Sequence, residues 1–126
     1  MESVELRTAF IERLDDNMLC TRYKRGFIIE EEDAKEIDDI QFQMAEGKET
    51  LLVVDILDIK NRVSKDAKNF FTKKGKMLPY TKAVAIVQAV NQSNLKTSFL
   101  SNWIKPIYPT QSFQTKKEAI DWLQGL

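Results

Sequence analysis

Two stretches, Leu51 to Leu57 (LLVVDIL) and Lys82 to Val90 (KAVAIVQAV), are apolar at almost every position and rich in Val, Ile and Ala. A strand with one face in water alternates polar and apolar residues, so a nearly unbroken run of this kind belongs to a strand covered on both faces. The two runs are therefore expected to lie side by side and parallel inside a sheet, joined by a helical crossover. The residues between them fit that crossover. Ser64 is placed to cap a helix, Asp66 lies in its first turn, Ala67, Phe70 and Phe71 turn inward, and Gly75 ends it.

The flanking sequence extends the same plan. Val4 to Leu14 and Met18 to Lys24, separated by Asp15-Asp16-Asn17, read as an antiparallel hairpin. Acids from Glu30 to Asp33 precede Ala34, Ile37, Ile40 and Met44, which fall on one helical face, and Gly47 supplies a stop. A further helix is expected from Ser93 to Ile104, where Leu95, Phe99 and Trp103 recur every fourth residue before Pro106 and Pro109. Thr110 to Phe113 reads as a short edge strand. Thr115-Lys116-Lys117-Glu118 has the form of a capping box, so a last helix starts there and presents Ala119 and Trp122 or Leu123 inward. The expected fold is a single α/β domain over residues 1–126, with a mixed sheet of about five strands and about four helices.

Composition excludes several functions. Nineteen basic and nineteen acidic residues cancel, so no overall field draws the chain to nucleic acid. The N-terminal MESVELRTAFIERLDD lacks a basic segment followed by an apolar block, and no run approaches the roughly 18 apolar residues that span a bilayer. A soluble, cytoplasmic protein without a transmembrane segment is expected. There is no histidine, which removes Ser-His-Asp, Cys-His and HExxH chemistry within one chain. The four glycines are scattered, so no glycine-rich phosphate loop exists. No enzyme activity and no cofactor or metal are expected. Cys20 is the single cysteine and reads as a small buried hydrophobe.

Loops that leave the carboxyl ends of strands in α/β folds are the usual place for ligands and switches. Asp55, Asp58 and Lys60 occupy such a loop, with backbone hydrogen bonding in the turn as the plain reading of the two acids. Ser64 is either a helix cap or a regulatory phosphosite. Phe70, Phe71, Phe99, Leu100, Trp103 and Ile104 form apolar stripes wider than one packed seam requires, which points to a subunit interface or an apolar pocket between helix and sheet. A homodimer is the favoured partner. Acids dominate from Glu30 to Glu49, and Lys60, Arg62, Lys65, Lys68, Lys73, Lys74, Lys76 and Lys82 make the next region basic. The two regions read as complementary solvated faces, or as a basic helix for an anionic ligand.

The segment VVDILDIKNRVSKDAKNF and the ending SFQTKKEAIDWLQGL, set in this order of strands and helices, resemble the STAS superfamily, in particular its small SpoIIAA-like bacterial members grouped with SEC14-type lipid-binding domains. The resemblance covers nearly the whole chain. It implies a non-enzymatic regulatory or protein-interaction module akin to anti-sigma-factor antagonists, or, from the lipid-binding relatives, a small apolar or lipid-like ligand between helices and sheet. In the antagonists a serine at the start of the helix after the central strand is phosphorylated and partner binding is blocked. Ser64 holds that place, and Asp58 fits the acid before it. The antagonists have Asp-Ser-Ser-Gly or Asp-Ser-Thr-Gly there, whereas this chain has Arg62-Val63-Ser64-Lys65-Asp66.

Overall fold

The computed structural model describes residues 3–57, 63–88 and 108–126. Their strands are β1 (Ser3–Glu5), β2 (Ala9–Asp15), β3 (Met18–Tyr23), β4 (Thr50–Asp55), β5 (Thr81–Val87) and β6 (Thr110–Phe113). The helices are α1 (Glu31–Ala45), α2 (Lys65–Asn69) and α3 (Lys116–Gln124), with α2 continuing into a π-helical turn at Phe70–Lys74. The strands form one sheet in sequence order, antiparallel from β1 to β3 and parallel from β3 to β6. The two apolar runs are parallel neighbours, with Val53 beside Ala85.

The opening hairpin needs a correction. Val4 to Leu14 is not one strand: β1 and β2 pair with each other, Val4 opposite Ile11. The apolar residues explain the break, because they occupy even positions at Val4 and Leu6 and odd positions at Ala9 and Ile11. One straight strand would put these pairs on opposite faces, so the chain reverses at Leu6 to Thr8 and all four pack on one core. The Leu6 N–H donates to the Ala9 carbonyl at 2.8 Å, and the Lys24 N–H to the Thr8 carbonyl at 2.8 Å. Among the described residues the sheet thus has six strands, against about five expected. The helix expected at Ser93 to Ile104 lies outside the described residues.

Both faces of the sheet are packed. On the first, Ala9, Ile11, Leu19, Leu52, Val84 and Ile86 meet Ala34, Ile37 and Met44 of α1 and Ala67 of α2. On the second, Met18, Cys20, Leu51, Val53, Ala85 and Val87 meet Ala119 and Leu123 of α3. This double covering accounts for the loss of polar alternation in β4 and β5. Burying each Leu, Ile or Val of these strands contributes about 1.5–3 kcal/mol relative to exposure.

The helix ends follow the sequence closely. The Glu30 backbone N–H donates to Asp33 at 2.9 Å, and Arg7 reaches both oxygens of the same carboxylate at 2.9 and 3.0 Å. α1 ends in left-handed residues, Glu46 at φ 52° and Gly47 at φ 76°. Ser64 Oγ accepts the Ala67 N–H at 3.0 Å, and Thr115 Oγ1 accepts the Glu118 N–H at 3.1 Å. At the far end of α2 the Gly75 N–H donates to the Phe70 carbonyl, closing the wide π turn that keeps Phe70 and Phe71 both against the first core.

Candidate functional site

Because β3, β4 and β5 are parallel, their carboxyl ends share one edge of the sheet. Asp55, the last residue of β4, is nearly buried, and one oxygen accepts the Leu57 N–H at 3.1 Å. The carboxylate thus secures the turn out of the strand, as acids in such turns commonly do. Asp58 and Lys60 lie outside the described residues.

Ser64 stands on the same edge. Its N–H donates to the Ile29 carbonyl at 2.9 Å, and Ile29 and Val63 form a parallel bridge. Ser64 Oγ uses one acceptor site for the Ala67 N–H, which leaves its own proton and second lone pair for another group. The side chain is half-buried. Two large apolar residues on this edge face water: Ile28 is 51% exposed and Leu57 44%. Neither is among the residues the sequence marks as candidates. The available signal is Phe27-Ile28-Ile29, three apolar residues in a loop, where only Ile29 has a core position to fill. Arg7 stacks over Phe27 at 5.2 Å while gripping Asp33, and so fixes the start of this loop.

The aromatic candidates divide. Phe70 and Phe71 are half-buried and in edge contact, with ring centroids 6.4 Å apart at 68°. Phe99, Leu100, Trp103 and Ile104 lie outside the described residues. Phe71 lines a cleft of about 50 Å³ between α1, the π turn and the sheet, together with Tyr23, Asp38, Gln41, Met77 and Tyr108. Its polar walls are set by the fold: Gln41 Nε2 donates to Thr21 Oγ1 at 2.9 Å, and burial raises the pKa of Tyr23 strongly and pushes that of Tyr108 up to about 12. Drug-sized ligands occupy cavities of roughly 300–1,000 Å³, whereas this one has room on the scale of a water molecule or two.

An open groove of about 320 Å³ lies on the second face, over β1 to β3, lined in part by Phe10, Glu12, Cys20, Arg22 and Lys116. Arg22 and Lys24 stack on the Phe10 ring at 4.5 and 4.7 Å, and Lys116 pairs with Glu12 at 3.4 Å. Cys20 at its base is buried, and desolvation pushes the thiol up to about 11. A thiol held protonated in this way is a packing group and a poor nucleophile at neutral pH.

The opposite charges of α1 and α2 face solvent. Glu32, Lys35 and Glu36 are exposed on α1, and Lys65, Lys73 and Lys74 on α2 and the π turn. Just beyond the π turn, Lys76 Nζ pairs with Asp39 of α1 at 2.6 Å. Among the described residues no helix is long and apolar enough to cross a membrane.

A family model described as a domain of unknown function, DUF7793, matches residues 12–126. No curated protein matches the chain. Among solved structures, the chain resembles an uncharacterized protein of the DUF3478 family, with a SpoIIAA-like fold, from Shewanella loihica PV-4. Identity is 24%, the match covers 98% of this chain and 99% of that one, and the TM-score is 0.63. The fold is SpoIIAA-like, as the sequence resemblance implies.

Proposed function

We propose that this chain, which belongs to the DUF7793 family, is a non-enzymatic regulatory module that works by associating with other protein chains in the bacterial cytoplasm, and is itself a dimer. The observation that carries this reading is the edge that holds Ser64, its hydroxyl proton uncommitted by the cap, together with the exposed Ile28 and Leu57. Exposed apolar side chains on the same edge as a free polar group suit a protein partner. The SpoIIAA-like fold adds the analogy with anti-sigma-factor antagonists, and that support is at the level of fold.

The same edge accommodates a switch. Phosphate on Ser64 brings a charge of about −1.5 to −2 and three acceptor oxygens. Its oxygens would accept the N–H groups at the start of α2, and its charge would oppose desolvation of the Ile28 and Leu57 surface by a partner. The test is native mass spectrometry of the protein isolated from its own host. A phosphorylated fraction that maps to Ser64 is the expected result, and an unmodified population under every growth condition removes the switch from the account.

A small apolar or lipid-like ligand is the second reading, drawn from the cleft that Phe71 and Tyr108 line. Its size requires these walls to move apart before such a molecule enters. Organic extraction of host-purified protein that repeatedly yields no ligand dismisses it.

A further inference from the structure

The charged lines on α1 and α2 fit a second copy of the same chain. Each of these helices joins two parallel strands, and both pack on the first face, so they run alongside one another. Asp38 and Asp39 tie α1 to the turn that follows α2 and the π turn: Asp38 accepts the Lys76 and Met77 N–H groups at 2.7 and 3.0 Å, and Asp39 pairs with Lys76. The outer line of α1 carries Glu32 and Glu36 against Lys35, while that of α2 and the π turn carries Lys65, Lys73 and Lys74 against Asp66. Packed helices lie about 8–10 Å apart, close to the Debye length at physiological salt, so exposed charges on neighbouring helices compensate one another weakly.

We propose that the chain forms an isologous dimer through this helical layer, about a two-fold axis that runs along the helices midway between them. That operation lays α1 of each copy on α2 and the π turn of the other, so the contact of an acidic line with a basic one occurs twice per dimer. The proposal deepens the association reading and rests on its dimer. A second copy is favoured over an extended polyanion because the acidic line beside the lysines repels a uniformly negative surface, while a second copy satisfies both lines. Exposed pairs add little affinity, so the charges fix orientation. The half-buried Ile40, Phe70 and Phe71 on the same elements supply apolar area.

A charge exchange tests this. The double variants Glu32→Lys with Glu36→Lys, and Lys73→Glu with Lys74→Glu, change exposed residues only, and circular dichroism checks that both fold. Sedimentation velocity is expected to show a wild-type dimer weakened by salt, both variants at least tenfold weaker in self-association, and a heterodimer when the two are mixed, since mixing again sets the reversed positions of one copy against charges of opposite sign on the other. A wild-type dimer indifferent to both reversals overturns the surface and leaves the dimer standing. A monomeric wild type overturns the surface and the dimer together, with the Ser64 edge unaffected. A monomeric wild type that sediments with phosphatidylglycerol vesicles reassigns the lysines to a membrane and overturns the proposal too.

Discussion

Asp38 and Gly75 are in contact across two elements: a Cβ added at Gly75 would stand 2.6 Å from Asp38 Oδ1. The carboxylate needs that space because it is buried and receives the backbone N–H groups of Lys76 and Met77. Glycine is required by this approach and not by its backbone, whose φ is −65°. Gly75→Ala is expected to cost about 1–3 kcal/mol as an overpacking change, and Asp38→Ala about 2–4 kcal/mol because the buried Met77 N–H and the partly buried Lys76 N–H lose a charged acceptor. Urea denaturation of both single variants and the double checks this. The double variant should be less damaged than the sum, since removing the carboxylate opens the space that the alanine needs.

Ser64 predicts a graded response to substitution. Its Oγ satisfies one helix-start N–H, so Ser64→Ala should lose about 1 kcal/mol in urea denaturation, and Ser64→Asp, which keeps an acceptor, should lose less. Equal losses would show that the cap is not the source of the effect.

Cys20 sets an alkaline limit. Its folded pKa, about 11, lies above the ordinary value of 9.0, and burial is the main cause. A raised pKa means the folded chain keeps a proton that the unfolded chain releases, so this contribution is intact below pH 9 and is lost as pH rises from 9 through 11. Stability measured across that range should fall more steeply in the wild type than in Cys20→Ala, and the wild-type thiol should react slowly with a disulfide reagent at pH 7.5 unless urea is added. Rapid labelling of the folded chain contradicts the burial argument.

The parts of this fold that were legible in the sequence are those governed by local chemistry. Runs without polar alternation located β4 and β5 and their parallel pairing, and Ser64 and Thr115 announced their helices because capping depends on a few adjacent residues. The split of the first strand was also written there, as the change of parity between Leu6 and Ala9, but reading it requires knowing which face is buried. What the sequence hides is tertiary. The acceptor role of Asp38 links α1 to a turn 38 residues away. The exposure of Ile28 and Leu57 depends on which neighbours the core has already used. Within the candidate site, Asp55 and Ser64 have the turn and cap roles their positions suggest, and Ile28 and Leu57 join them as the surface a partner would meet.

Capture of host proteins by immobilised wild type, Ser64→Ala and Ser64→Glu, each matched for folding by urea denaturation and quantified by mass spectrometry, tests whether the Ser64 edge binds a partner. A specific partner held by wild type and Ser64→Ala but reduced about tenfold on Ser64→Glu, a difference of about 1.4 kcal/mol, is the predicted result. Identical capture by all three proteins contradicts it, and would separate the Ser64 edge from whatever this chain binds.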